Sequence, residues 1–566
     1  MRAIIGLFAL FSGLVSCVQP DEEFRLFNNE TSGLMADSAA VVSAHPLASG
    51  IGVEVLRRGG NAIDAAIAVQ FALAVCYQSA GNIGGGGFMV IRLADGETTT
   101  LDFREKAPLA TTHDMFLDSA GNVIEGLSLA GHLASGVPGS VAGMWEAHRR
   151  YGTLTWNDLL QPSIDLAANG VDLTRKEAEK LNAYREQFET YTTRTSPFIR
   201  HSDGWREGDT LHQPELARTL TAIRDSGISG FYSGWVADSI VAEMKRGDGI
   251  ITHEDLKQYN AVRRAPLEWD YENYHFVSMG PPSSGGICVA QMLGMIEDGE
   301  LSKWNDAKTV HLLAEVERRA FADRAQHLGD ADFYNVPIRQ LLDPGYLAKR
   351  MSTFDPAKAS PSESVGPGDA TSESEETTHF SIVDPFGNAV AVTTTLNGGF
   401  GSKVVVSGCG FLLNNEMDDF SIKAGEPNLY GLVGGDANAI EPGKRMLSSM
   451  TPTIIERDGK LWMVVGTPGG ATIITSVLQT FLNVAEFGMT MPEAVAAMKF
   501  HHQWLPDRID YEEGAFAPST IQELTAMGHT LREREPIGRT DAILILPNGK
   551  LECGADPRGD DVCAGY

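Results

Sequence analysis

The alternation of apolar and polar positions changes character at residue 377. Before it, from about Ala36 to Asp270, helical periods alternate with short strands. Apolar residues recur every three or four positions in HPLASGIGVEVLRRGG (45–60), LLQPSIDLAANG (159–170) and QPELARTLTAIRDSG (213–227), and each predicts a helix. AIDAAIAVQFALAVCY (62–77) is apolar all round, follows a Gly-Gly-Asn helix start and is interrupted by Asp64 and Gln70, which predicts a buried helix rather than a membrane span. FMVIRLADG (88–96) predicts a strand, and YHFVSMGPPSSGG (274–286) a strand entering a Pro/Gly turn that leads into the helix CVAQMLGMIEDG. A further helix is expected over AKTVHLLAEVERRAFADRAQHL (307–328). The polar run 358–376 is the one stretch whose composition predicts disorder.

Beyond Thr377 the period becomes two. HFSIVD, the turn PFGN and AVAVTTTL predict a hairpin; KLWMVVGTPGG (460–470) predicts a strand ending in Gly-Gly, and ATIITSVLQTFLNVAEFG (471–488) a long apolar helix. There is no internal repeat. Strand pairs and helix pairs in this order predict an α/β fold in which sheet is covered by helices.

Composition narrows the function. At 43% apolar and 21% charged, the 566 residues suit a large globular core. The formal net charge of -29 argues against nucleic acid as a partner. The start, MRAIIGLFALFSGLVSC, has one early positive charge, a short apolar run and a small-residue approach to Cys17. That predicts a signal peptide over residues 1–16, and its end in Cys resembles a lipoprotein signal that leaves Cys17 acylated. Export to the periplasm follows, with membrane contact only through the lipid anchor; Val18 leans towards the outer membrane. A plain signal peptide with an incidental cysteine is the alternative. Six cysteines are too sparse for a disulfide framework; Cys76 and Cys288 read as buried thiols, while Cys553 and Cys563 are close enough in sequence to pair.

The junction EETTHFS (375–381) carries the chemistry. A threonine hydroxyl is a poor nucleophile unless a base lies within hydrogen-bond reach. If the chain is cut just before Thr377, the new α-amine, with a pKa of about 8, can take the hydroxyl proton itself. The same hydroxyl can attack the preceding carbonyl, so the precursor can mature itself. By itself Thr-Thr-His at a strand start is equally explained by β-propensity. The segments that accompany it decide between the two: ETTHFSIVDPFGNAVAVTTTLNGGFGS, FLLNNEMDDFS, LYGLVGGDANAI, KRMLSSMTPTI and VVGTPGG downstream, and SAGNIGGGGFMV, LDFREKAP, SGVPGSVAGM, GDGIITHEDLKQY and MGPPSSGGICVAQML upstream. With HHQWLPD and the terminal DPRGDD…AGY, they resemble the γ-glutamyltranspeptidase family from about residue 36 to the end.

The resemblance implies an N-terminal-nucleophile hydrolase, a four-layer αββα sandwich cut between Glu376 and Thr377. A large subunit, 17–376, and a small catalytic subunit, 377–566, then form one αββα unit as a heterodimer. It implies glutathione and other γ-glutamyl compounds as donors, and water, amino acids or dipeptides as acceptors. A γ-glutamyl group needs an anion contact and a cation contact at its amino-acid end and an oxyanion hole at the scissile amide. By resemblance, Arg104, Ser448 and Ser449 hold the α-carboxylate, and Asn397, Glu416 and Asp419 the α-ammonium. Gly469 and Gly470 form the oxyanion hole, and Thr395 supports Thr377, the exposed nucleophile. Tyr430 belongs to a lid over 423–439 that closes near Asn397.

Two further motifs are set aside. GNIGGGG precedes a strand instead of opening a helix, so it fails as a nucleotide loop. The adjacent His501 and His502 point different ways and lack a third ligand, so no metal is expected, and no organic cofactor. Two rivals stay open: a cephalosporin or glutaryl acylase of the same fold, and a non-catalytic surface lipoprotein.

Overall fold

Strands buried along their whole length must be covered on both faces. Ala40–Ser43, Gly86–Arg92, Thr378–Val383 and Ala389–Thr395 are buried at every position. In the computed structural model, which describes residues 32–200, 203–296, 301–366, 377–423 and 434–566, they form the middle of a seven-stranded sheet. Its order is Val562–Gly565, Ala40–Ser43, Thr378–Val383, Ala389–Thr395, Gly86–Arg92, Thr98–Asp102, Val262–Arg264, antiparallel throughout. A second seven-stranded antiparallel sheet runs Ser32–Ala36, Leu551–Ala555, Asp541–Ile545, Lys460–Gly466, Thr453–Arg457, Tyr274–Ser278, Leu267–Tyr271.

Side-chain alternation assigns the layers. In the first sheet Val90, Val383 and Ala391 meet Val277, Ile454, Val464 and Ile543 of the second, forming the core between the sheets. Phe380, Ile382, Val390 and Val392 point the other way, onto the helices Pro46–Arg57 and Ala62–Cys76. On the far side Phe276, Ile455, Met463 and Val465 pack on the helices Gly285–Ile296, Ala307–His327 and Thr472–Ala485. The result is helix, sheet, sheet, helix, the αββα sandwich.

The expected elements are present. Ala62–Cys76 is buried at all positions, and its two polar residues are used: Asp64 closes a capping box with Asn61, and Gln70 Nε2 donates to Asn82 O at 3.0 Å. The hairpin forms with Val383 opposite Ala389. Among the described residues no helix is long and apolar enough to cross a membrane.

Three features differ from expectation or lie beyond it. The polar run is ordered in its first part: Ser360 donates to Glu315 at 2.6 Å, and Ser362 donates to Trp504 O at 2.6 Å and opens a short helix, Ser362–Val365. Buried acceptors hold what composition alone assigns to disorder. The C-terminal strands Asp541–Ile545, Leu551–Ala555 and Val562–Gly565 escape the sequence pattern because they are short and rich in small residues. Cys553 and Cys563 are free thiols, one in each sheet; a hydrogen bond from Cys553, together with burial, pushes the Cys563 thiol far up. The signal segment, Cys17, Glu376 and Tyr430 lie outside the described residues.

The sheets meet tightly behind the Thr377 strand. His379 is buried, with Nδ1 at 2.9 Å from Thr393 Oγ1 and Nε2 at 3.0 Å from Ser381 Oγ; burial lowers its pKa to about 3, so it stays neutral. A Cβ on Gly466 would run into the His379 ring. Gly466→Ala is therefore expected to lower stability by about 1–3 kcal/mol, read as a shift in urea midpoint against the parent chain at pH 7.

Candidate active site

Thr377 stands at the head of the strand Thr378–Val383, which lies between Ala40–Ser43 and Ala389–Thr395 in mid-sheet. That placement leaves it 4% exposed in the uncut chain, so the expectation of an exposed nucleophile is corrected. Its access is through two cavities that meet at it. The smaller is lined by Thr377, Thr395, Asn397, Arg104, Glu416, Asp419, Ser448, Ser449 and Gly470. Gly469 lines the larger one with Thr377.

Arg104 follows the strand Thr98–Asp102 and is fixed by its backbone: its N–H donates to Asp102 Oδ1 at 2.9 Å, and its carbonyl accepts from Tyr259 Oη at 2.7 Å. Its guanidinium is fully buried and donates to Glu416 Oε1, Asp419 Oδ2 and, at 3.2 Å, Leu447 O. Burial opposes its charge, but the carboxylates of Glu416, Asp419 and Glu105 outweigh it and hold Arg104 protonated. The groups expected to separate a ligand's carboxylate from its ammonium are thus paired with each other. Burial pushes the carboxyls of Glu416 and Asp419 upward while Arg104 pulls them down.

The acids come from one 3-10 turn, Glu416–Asp419. Glu416 N–H donates to Asn414 Oδ1 at 3.0 Å, which orients the turn. Asp418 points elsewhere, accepting from Ser128 Oγ at 2.6 Å, so the geometry selects Glu416 and Asp419 from the run Glu-Met-Asp-Asp. Thr395 closes its strand and accepts from Asn397 N–H at 2.7 Å through Oγ1. Asn397 has φ 72°, a left-handed conformation that Asn tolerates better than most residues, and its Nδ2 donates to Asn415 O at 3.0 Å. Ser448 Oγ accepts from Met450 N–H at 3.1 Å. The SSGG turn braces this segment, Ser284 N–H donating to Ser448 O at 2.8 Å.

Gly469 and Gly470 have φ 138° and 53°, where a side chain would be strained. They lead into the buried helix Thr472–Ala485, whose positive end is thereby directed at the Thr377 region. One glycine borders each cavity. That arrangement can stabilise an oxyanion formed at Thr377.

Two residues escaped the sequence pattern. Arg324 lines the smaller cavity, buried, with Nε donating to Ser284 Oγ at 2.9 Å and Nη2 to Ser449 Oγ at 3.1 Å. In sequence it is one of several basic residues on a helix, with nothing to separate it from a surface cation. Glu105 touches Arg104 at 3.6 Å, neither of its oxygens has a hydrogen-bond partner, and burial raises its pKa to about 8. Its only sequence signal is adjacency to Arg104.

The paired histidines have separate partners: His501 bonds Thr475 and Gln503, and His502 accepts from Trp504 N–H. Among the described residues one trio, His311, Glu315 and His529, has ligand atoms within 4.8 Å of one another. Glu315 is held there by Arg318 and Arg319, whose positive charge disfavours a cation.

A threonine at the head of an inner strand of an αββα sandwich, with an oxyanion site beside it, defines the class of N-terminal-nucleophile hydrolases. The sequence pattern of the family described as Gamma-glutamyltranspeptidase matches residues 48–566, and the chain belongs to that family. It is 45% identical over 561 residues to the glutathione hydrolase proenzyme of Escherichia coli (strain K12), covering 98% of this chain and 97% of that one. The crystal structure of Helicobacter pylori gamma-glutamyltranspeptidase superposes with a TM-score of 0.56 at 45% identity, covering 60% of this chain and 97% of that one. A cephalosporin acylase from Bacillus halodurans superposes with a TM-score of 0.83 at 26% identity, covering 97% and 99%.

Removing the charge of Arg104 leaves buried carboxylates without their cation. Arg104→Gln is expected to destabilise the chain by about 3–5 kcal/mol, and Arg104→Lys by less, in denaturant unfolding at pH 7. Equal stability of all three chains would mean that the buried pairs are not formed.

Proposed function

We propose that this protein is a self-cleaving γ-glutamyltransferase and glutathione hydrolase that works through Thr377. The observation that carries the proposal is the smaller cavity. The guanidiniums of Arg104 and Arg324, the carboxylates of Glu416 and Asp419 and the hydroxyl-bearing Thr377 line it together. That is the complement of an α-amino acid whose side-chain carbonyl is to be attacked.

Cutting between Glu376 and Thr377 yields subunits 17–376 and 377–566 and creates the α-amine that activates the hydroxyl. Both sheets contain strands from before and after residue 377, so the subunits remain interleaved. The substrate's carboxylate takes the Arg104 fork with Ser448 and Ser449, and its ammonium takes Glu416, Asp419 and Asn397. Internal ion pairs are thus exchanged for pairs with a zwitterion, and buried charge stays balanced. Thr377 Oγ bonds to the γ-carbonyl carbon while its proton passes to the α-amine. Gly469 and Gly470 hold the oxyanion. On collapse the C–N bond breaks, the α-amine gives its proton to the departing amine, and a γ-glutamyl ester remains. Water then releases glutamate, or the amine of an amino acid or dipeptide forms a new γ-glutamyl amide. Thr395 supports the nucleophile.

Export and acylation at Cys17 complete the proposal, placing the enzyme in the periplasm or on its membranes; the pattern of MRAIIGLFALFSGLVSC supports this.

A glutaryl amide differs from a γ-glutamyl amide only in lacking the α-ammonium. It would take Arg104 from Glu416 and Asp419 and give those acids nothing in return. The enzyme is expected to release p-nitroaniline from γ-glutamyl-p-nitroanilide with a kcat/KM about 100-fold or more above that for glutaryl-p-nitroanilide. Asp419→Asn narrows that ratio, and Thr377→Ala abolishes both reactions. A preference for the glutaryl anilide would instead assign the site to the acylases.

A further inference from the structure

The γ-glutamyl mechanism at Thr377 leaves one buried cation of the smaller cavity without a role. Arg324 lies in the last turn of the helix Ala307–His327 and borders that cavity together with Thr377 and Ser449. It is buried, and among the described residues no carboxylate comes within ion-pair distance of it. Arg104, on the same cavity, is paired with Glu416 and Asp419. Burial lowers the pKa of Arg324, and the charges of Asp419 and Arg104 act on it in opposite senses, but a guanidinium stays protonated at any working pH. A buried charge without a paired counter-charge is unfavourable until an anion comes to it.

The bonds of Arg324 also fix the direction of two hydroxyl groups. Nε donates to Ser284 Oγ at 2.9 Å, and Ser284 Oγ donates in turn to Ser448 O at 2.7 Å. A hydroxyl that accepts from a guanidinium keeps its single hydrogen for another acceptor, and at Ser284 that acceptor is the backbone of the Ser448–Ser449 segment. Nη2 donates to Ser449 Oγ at 3.1 Å, which sets Ser449 in the same polarity. Its backbone is held separately, Ser449 O accepting from Thr451 Oγ1 at 2.7 Å. Ser449 thus presents an O–H donor at the cavity, with a positive charge directly behind it.

A group that meets this donor gains from accepting a hydrogen bond and from carrying negative charge; a carboxylate does both, a carboxamide only the first. We infer that Arg324 is a positioning residue for the donor's α-carboxylate, turning the Ser449 hydroxyl towards that group and supplying the charge that favours it. The inference rests on the γ-glutamyl reading of the cavity. It divides the work between two arginines. Arg104 must leave Glu416 and Asp419 to receive a ligand, whereas Arg324 has no such ion pair to give up, so its share of the binding comes without that exchange.

The test varies both members of the contact. Processed wild type and Arg324→Gln are compared on γ-glutamyl-p-nitroanilide and on its α-carboxamide analogue, a pair differing only at the α-carboxylate. The wild type is expected to favour the free acid by about 100-fold in kcat/KM, and Arg324→Gln to reduce that preference about tenfold, through the KM for the acid more than through kcat. Arg324→Lys keeps the charge but cannot bond both serines, and is expected to retain part of the preference, with a loss of about threefold. In a Ser449→Ala background, Arg324→Gln is expected to cost the acid less than it does in the wild type, because the route through the hydroxyl is already gone. Intact mass under denaturing conditions reports processing separately; if Arg324→Gln is not processed, Arg324→Lys carries the comparison. Equal losses on the two substrates would make Arg324 a structural brace and overturn the assignment, as would variants that keep the full preference. A processed wild type that releases no p-nitroaniline from either substrate overturns the γ-glutamyl reading beneath it.

Discussion

A guanidinium with no exposed surface must have carboxylate partners, and at Arg104 that requirement organises the site. Arg104 lies before residue 377, and Glu416 and Asp419 lie after it. Their pairing ties the two parts of the chain together at the point where a ligand must enter. It also sets the terms of entry: a ligand displaces these pairs without leaving a buried charge unmatched only if it brings both signs of charge.

The fold supplies the other half of the chemistry. Thr377 heads a strand buried on both faces, so its position is set by the core between the sheets rather than by a loop. The two glycines with positive φ bring the positive end of the helix Thr472–Ala485 to the same point. Two cavities meet at the nucleophile, and paired charges line the smaller one.

Much of this was legible in the sequence. Period and punctuation located the hairpin at 378–395, the buried helix at 62–76 and the strand and helix on either side of Gly469 and Gly470, because each has a strong local signature. The ligand-facing residues were named through the family's motifs, and nine of them meet on one cavity. What was not legible depends on long-range contact. The pairing of Arg104 with the acids joins positions 312 and 315 residues apart. Arg324 becomes a site residue only because its helix packs against the SSGG turn, and the serines of the polar run are ordered by Glu315 and Trp504, which lie far from them in sequence. The burial of Thr377 follows from its neighbouring strands, not from its local sequence.

The central claim is that Thr377 becomes the nucleophile when the chain cuts itself before it. The most direct measurement is the intact mass of the purified protein under denaturing conditions, with N-terminal sequencing of each fragment and Thr377→Ala prepared in parallel. The account predicts two chains, the smaller beginning TTHFSIVD, and a variant that stays whole. An active enzyme that remains a single uncut chain would contradict it.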